Sequence, residues 1–262
     1  MDTSTKNYKF MWSFIHKHAS PKHFYNLSGR LIPWLGWSTL ILLIIGLYQG
    51  LIVAPTDYQQ GESYRIIYIH VPAAWMSMFI YMVMAISGGI GLVWKIKMAD
   101  VVASSSAPIG AAFTFLALVT GSLWGKPMWG TWWIWDARLT SELILLFLYL
   151  GFIALESAIE DRRTAANACA VLALVGIVNI PIIHYSVEWW NTLHQGSTVT
   201  RFDKPAMATS MLIPLLVMAL AFKLYFFLTM LMRVRVKILE TEKDTRWMQE
   251  LILGTENKEA GK

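Results

Sequence analysis

The 262-residue chain has few charged residues, which make up only 15% of it, whereas hydrophobic residues make up 56%. A typical soluble domain is about 25% charged and ~45–50% apolar. The mean hydropathy of +0.47 also indicates a predominantly apolar chain. A soluble fold has no place to hide so much apolar surface. The composition therefore argues against a soluble globular enzyme, a disordered chain and a nucleic-acid-binding domain, and it indicates a membrane protein.

Cysteine and the common catalytic motifs are also scarce. Cys169 is the single cysteine, which excludes an internal disulfide framework and any CxxC redox or zinc motif. The chain has no GxSxG, P-loop or HExxH pattern, so neither a nucleophile–base arrangement nor a nucleotide site stands out. If the protein's work needs energy, another subunit must supply it.

Long runs without Asp, Glu, Lys or Arg divide the chain into six segments. A transmembrane helix needs ~20 mostly apolar residues, and each segment reaches that length. The runs are too long for strands and do not alternate with period two. We predict an all-α integral membrane protein with six transmembrane helices. The six segments are residues 31–56, 66–94, 101–125, roughly 139–158, 164–187 and 205–222.

The first thirty residues are polar and basic, too long and mixed for the charged start of a signal peptide. The first apolar segment is therefore interpreted as an uncleaved span. The expected domains are a basic N-terminal segment (1–30), a six-helix membrane domain (31–232) and a C-terminal tail (233–262).

The positive charges assign an orientation to this topology. Of the 22 Lys and Arg residues, sixteen fall on the side of the two termini and five on the other side. Cytoplasmic loops of membrane proteins carry the excess of Lys and Arg. Both termini are therefore predicted to be cytoplasmic. The net charge of +5 follows mostly from topology and gives no separate support for a nucleic-acid partner.

Tryptophan is concentrated in the outer connections. Five of the thirteen lie in the stretch WGKPMWGTWWIWDARLT, and Trp189 and Trp190 lie in the other large outer loop. One interpretation is an aromatic belt at the membrane interface. The other is a platform on which a flat, amphipathic ligand stacks. We expect a tryptophan-rich outer loop at about residues 124–140. Its five tryptophans are Trp124, Trp129, Trp132, Trp133 and Trp135.

Two charged residues follow the tryptophans at the mouth of the fourth helix. Asp136 is a candidate N-cap for that helix, because carboxylates favour helix N-termini. Arg138 is a candidate partner for Asp136 or for a ligand carboxylate.

Three of the six histidines lie on the outer side. They are His70, His184 and His194, whereas the others sit in the cytoplasmic tail. Two imidazoles from different segments can hold a haem iron axially. A polar residue at the membrane surface remains the alternative for each.

These segments resemble a known family. WGKPMWGTWWIWDARLTSE closely resembles the tryptophan-rich WWD motif of haem-handling proteins. YRIIYIHVPAAW and NIPIIHYSVEWWNTLHQGS are similar to the histidine segments of the cytochrome c maturation protein C family, also called CcmC or haem exporter protein C. The resemblance covers roughly residues 30–232.

The resemblance implies that the protein holds haem b at the periplasmic face of the bacterial inner membrane. The implied iron ligands are His70 and His194, and His184 is not the usual family assignment. The implied WWD residues are Trp124, Trp129, Trp132, Trp135 and Asp136. From the charges alone we add Arg138, Lys126 and Arg201 as candidate partners of the haem propionates.

The resemblance also implies partners. Haem passes to the membrane-anchored haem chaperone (CcmE). The chain assembles with an ATPase subunit (CcmA), a second membrane subunit (CcmB) and a small single-span subunit (CcmD). The implied role is binding and transfer rather than catalysis, with ATPase activity supplied by the partner.

Two enzyme classes remain as alternatives. A cytochrome b-type quinol oxidoreductase is also a helical membrane protein with paired histidines, but it usually needs further histidine pairs within its spans. A haem lyase acting directly on apocytochrome c carries a WWD motif, but such proteins are typically larger.

Overall fold

The structure is a computed structural model that describes residues 20–190, 192–194, 196, 199 and 206–251. Seven α-helices account for most of this part of the chain, which contains no β-strand. The helices are α1 (Pro21–Tyr48), α2 (Ile67–Trp94), α3 (Lys97–Trp129), α4 (Ala137–Ala158), α5 (Arg162–Gly176), α6 (Asn179–Trp189) and α7 (Thr209–Glu242).

Six stretches of this helical chain are long and apolar enough to cross a membrane, which confirms the predicted all-α class and the number of spans. Helix α1 continues into a short π-helical turn, Gln49–Val53, and a 3₁₀ turn, Glu62–Ile66, leads into α2. Helices α5 and α6 together form the fifth span.

The helices run beyond the charge-free segments. Helix α1 begins at Pro21 and α7 continues to Glu242, so α1 includes Lys22 and Arg30, and α7 includes Arg233, Arg235 and Lys237. Long basic side chains tolerate such positions because their stems lie along apolar surface while the charged heads reach water. Proline at the start of α1 fits, since a helix's first N–H groups have no partner inside the helix.

Helix α2 lies at the centre of the bundle. It packs most extensively on α3 and also contacts α5 and α7, while α1 packs mainly on α7. Tyr149 of α4 is fully buried, and its hydroxyl donates to the Ser77 carbonyl of α2 at 2.7 Å. The packing fixes the ends of α2, α3 and α4 relative to one another, and these ends carry the candidate site.

The fifth span is broken at its middle. Helix α5 ends at Gly176 and α6 begins at Asn179, two residues before Pro181. Proline has no N–H to donate to the Ile177 carbonyl, so the hydrogen bond that a continuous helix would make there is missing. The Asn179 amide donates to the Ser141 carbonyl of α4 at 2.9 Å. This bond anchors the start of α6, the helix that carries His184.

The tryptophan-rich segment is less of a loop than expected. Helix α3 continues through Pro127 to Trp129, and α4 starts at Ala137, so the irregular part is only 130–136. Gly130 ends α3 in the left-handed region, with φ of 76°, a conformation that glycine adopts without steric cost. Trp124 and Trp129 therefore stand on a helix, which fixes their position better than a loop would.

Candidate functional site

A cavity of about 150 Å³ opens at the end of the bundle that carries the tryptophan-rich segment. Elements far apart in sequence line it: α2, the end of α3, the start of α4, α6, and the connection between α6 and α7. Most of the residues singled out from the sequence meet here. They are His70, His184, His194, Trp124, Trp129 and Arg138.

His70 projects from α2, and its Nδ1 atom is engaged by α3. That nitrogen lies 3.0 Å from the Ala117 carbonyl oxygen and 3.1 Å from the Thr120 hydroxyl. Because a carbonyl only accepts, Nδ1 carries the proton, and Nε2 of the neutral ring keeps its lone pair. Gly121 gives the imidazole room, since a Cβ there would lie 3.0 Å from the His70 Cε1 atom. Among the described residues Nε2 has no hydrogen-bond partner, so His70 is an oriented ring with one nitrogen available to a metal.

His194 is supported in the same way by a carboxylate. Its Nδ1 atom lies 3.1 Å from the Asp136 Oδ2 atom, and the Thr192 hydroxyl donates to the same oxygen. The His194 backbone N–H donates to the Thr192 hydroxyl at 3.2 Å. These bonds assign the Nδ1 proton and again leave Nε2 free. Metal-ligating histidines almost always have such an outer partner, which sets the tautomer and raises ligand basicity.

The two carboxylate oxygens of Asp136 have separate structural roles. Its Oδ1 atom accepts from the Leu139 N–H at 2.7 Å, which caps α4 as predicted, while Oδ2 supports the histidine. Burial raises the pKa of the Asp136 carboxyl, but the hydrogen bonds that it accepts outweigh burial and lower the pKa to about 2. The group is therefore a carboxylate at neutral pH. The sequence predicted the cap but not the contact with His194.

The predicted tryptophans divide into two sets. Trp124 packs edge-on against His70 with ring centroids 5.7 Å apart, and Trp129 packs similarly against His194 at 5.0 Å. Trp132 and Trp135 do not line the cavity and are 55% and 75% exposed. The first pair walls the histidines, whereas the second pair forms an outer surface beside them.

Of the two predicted cations that lie within the described residues, Arg138 lines the cavity and Lys126 does not. Within the described residues the Arg138 guanidinium makes no hydrogen bond or ion pair, although it interacts electrostatically with the buried Glu142 one helical turn away. The Lys126 ammonium donates to the Gly130 carbonyl at 3.0 Å and lies on the exposed side. Arg201 lies outside the described residues. Arg138 is thus the cation available to a carboxylate in the cavity.

Some contributors were not found from the sequence. Gln60 accepts from the Trp124 indole N–H at 2.9 Å and lines the cavity. Thr120 and the Ala117 carbonyl support His70 across a separation of about fifty residues, which no local pattern reveals. Thr192 stands two residues before His194, so its position alone could have drawn attention to it.

The donor set fits a haem. Two imidazoles would supply nitrogen ligands to the iron, aromatic rings would pack against the porphyrin, and one guanidinium would suit a propionate. Pockets that enclose drug-sized ligands have ~300–1,000 Å³, more than the 150 Å³ of this cavity. A porphyrin therefore does not fit wholly inside the cavity in this conformation.

The fold and site define a multi-pass helical membrane protein with paired, oriented histidines at a tryptophan-walled cavity. The heme exporter protein C (CcmC) family model matches residues 14–249. The chain belongs to the heme exporter protein C family.

Individual relatives agree with the family model. The heme exporter protein C of Escherichia coli K12 is 56% identical over 244 residues, which is 93% of this chain and 98% of that protein. The Haemophilus influenzae heme exporter protein C is 51% identical, covering 92% of this chain and 98% of its own. A putative cytochrome c biosynthesis ccmC-like mitochondrial protein of Marchantia polymorpha is 50% identical, covering 72% of this chain and 78% of its own.

Proposed function

We propose that the protein binds haem b between His70 and His194 and delivers it to the membrane-anchored haem chaperone CcmE. Family membership supports a role in haem export and cytochrome c biogenesis. The observation that carries the finer proposal is the pairing of two imidazoles at one cavity, each with Nδ1 engaged and Nε2 free.

In this proposal the residues of the chain bind and orient rather than catalyse. Bound haem supplies an iron with two axial positions. The Ala117 carbonyl holds the Nδ1 proton of His70, and the Asp136 carboxylate holds that of His194. Each ring therefore keeps a fixed orientation with Nε2 unprotonated. Arg138 pairs with a propionate, because its guanidinium has no other carboxylate within ion-pair distance in the described part of the chain.

The exposed tryptophans serve the transfer step. Trp132 and Trp135 stand beside the cavity with large apolar faces in solvent or at the membrane surface. A porphyrin edge that the cavity leaves uncovered stacks on such rings. The chaperone docks over this edge and takes the haem from it.

The remaining partners follow from the same proposal. The chain works in an ABC-type complex with the ATPase subunit CcmA, the membrane subunit CcmB and the single-span subunit CcmD. The ATPase supplies energy for release of the loaded chaperone. The haem-binding chain itself is not an enzyme.

The proposed orientation places the cavity at the periplasmic face of the inner membrane and both termini in the cytoplasm. Its support is the excess of Lys and Arg on the side of the membrane that carries the two termini. After replacement of Cys169, single cysteines at Thr131 and Ser197 should react with an impermeant thiol reagent on intact cells. A cysteine at Glu160, which is exposed in the connection between α4 and α5, should not react. Labelling at Glu160 alone would reverse the orientation.

The delivery proposal is tested by purifying the protein with its partners and mixing it with apo-chaperone. We expect one haem per chain, chaperone loading that requires the chain, and no reduction by added quinol. Quinol turnover with more than one haem would instead indicate a cytochrome b-type oxidoreductase. Direct haem attachment to apocytochrome c without the chaperone would indicate a lyase.

A further inference from the structure

A third histidine faces the same cavity as the proposed haem ligands. His184 lies on α6, and it lines the cavity together with His70 and His194. The break before Pro181 and the bond from Asn179 to α4 fix the helix that carries it. An interfacial histidine would face only lipid or water, whereas His184 lines the cavity that His70 and His194 also line.

His184 differs from the other two histidines in its support. In the described part of the chain neither ring nitrogen has a hydrogen-bond partner. The ring packs edge-on against Tyr185 at 4.7 Å, and Tyr185 stacks on Trp189 at 5.3 Å. Without an outer partner a histidine is a weaker ligand whose tautomer is not fixed. Such a ring can bind iron through either nitrogen and release it readily.

The two proposed haem ligands, His70 and His194, are not held equally firmly. His70 belongs to a packed helix and bonds to the backbone of a second helix. His194 lies in a non-helical connection and is held by the side chains of Asp136 and Thr192. The His194 bond to iron is therefore the one more easily exchanged.

We propose that His184 is an exchangeable axial ligand that replaces His194 opposite His70 while haem enters or leaves the cavity. This inference rests on the proposed haem site. In the exchange one iron–nitrogen bond to His194 breaks and one to the unprotonated nitrogen of His184 forms. The iron keeps its oxidation state, and no proton needs to move.

The test uses the purified complex loaded with haem and a His194→Ala background. That variant should keep a six-coordinate, low-spin spectrum with weaker haem retention, because His184 fills the vacated position. Adding His184→Gln should convert the haem to a five-coordinate, high-spin form that binds carbon monoxide without ligand displacement. His184→Met in the same background should give the spectrum of a His/Met haem, which reports direct ligation rather than folding.

A matched control applies the same substitution to a histidine outside the cavity, His23→Gln in the His194→Ala background, and should leave the spectrum unchanged. Identical spectra for His194→Ala with and without His184→Gln would overturn the inference. The proposed haem site fails differently, through a wild-type protein without haem or a His70→Ala variant with the full wild-type spectrum and retention.

Discussion

The two ends of the helix bundle each hold a cavity, and the larger one lies away from the paired histidines. The opposite end has a cavity of about 360 Å³ between α3, α4, α5 and α7. There the Lys237 ammonium lies 2.7 Å from both a Glu156 carboxylate oxygen and the Ser104 hydroxyl. Nearby, Arg163 bridges Asp100 at 3.1 Å and the Gly91 carbonyl at 3.2 Å. The described residues lining this cavity include no histidine or tryptophan.

The difference lies in how much binding capacity each end keeps free. At the opposite end Lys237 and Arg163 are already paired with carboxylates and join helices to one another. At the histidine end hydrogen bonds orient the imidazoles but leave the Nε2 atoms unused, and Arg138 has no ion pair among the described residues. Under the proposed function, free ligating atoms rather than volume distinguish the haem cavity from the space left between packed helices.

The largest expected effect comes from His70→Ala. The variant loses the iron ligand anchored by two helices, and no supported histidine replaces it. Haem retention after washing should fall by more than the roughly 10–100-fold cost typical of losing an outer partner of a metal ligand. Haem per protein, measured by absorbance, checks this. Retention equal to wild type would show that His70 is not a haem ligand, and the proposed difference between the two ends would then be wrong.

Two variants of Asp136 separate its role as the α4 cap from its contact with His194. Asn is as good an N-cap as Asp, so Asp136→Asn keeps the α4 cap but presents an NH₂ group or a neutral oxygen to His194. Asp136→Ala loses both functions. Haem affinity should fall about 10–100-fold in both variants, while only Asp136→Ala should lose ~0.5–2 kcal/mol of stability.

Haem titration and thermal unfolding on the same preparations measure these effects. Wild-type haem affinity in Asp136→Asn would reduce the aspartate to a helix cap.

At the histidine end, a tryptophan of the cavity wall can be compared with an exposed one. Trp129 walls His194 inside the cavity, whereas Trp135 is largely exposed. Trp129→Ala should weaken haem retention by ~0.5–1.5 kcal/mol plus the lost burial, without removing axial coordination. Trp135→Ala should retain haem better than Trp129→Ala but load the chaperone poorly. If both variants retain haem and load the chaperone as wild type does, the tryptophans form only an aromatic belt at the membrane interface.

The smallest effect on haem is expected from the opposite end. Lys237→Met removes the partly exposed ion pair with Glu156, which costs roughly 0.2–1 kcal/mol of stability. Haem affinity and spectrum should match wild type, because no proposed ligand lies there. Haem loss comparable to that of the Asp136 variants would show that the two ends are not independent.

Sequence reasoning recovered the six spans because apolar length is a direct requirement of the bilayer. It also brought His70, His194 and Arg138 to attention through their residue types. It could not foresee that α3 would continue through Pro127, since neighbouring helices decide whether such a helix persists. The supports of His70 depend on the register between α2 and α3, which is a property of packing and leaves no local pattern.

The central claim is that His70 and His194 hold one haem iron together. The most direct measurement is the spin state of iron, by electron paramagnetic resonance, in purified wild-type complex and in His70→Gly with and without added imidazole. The account predicts a low-spin bis-imidazole signal in wild type, its loss in the variant, and its return when imidazole fills the vacated position. A wild-type signal that is not bis-imidazole, or one that is unchanged in His70→Gly, would contradict it.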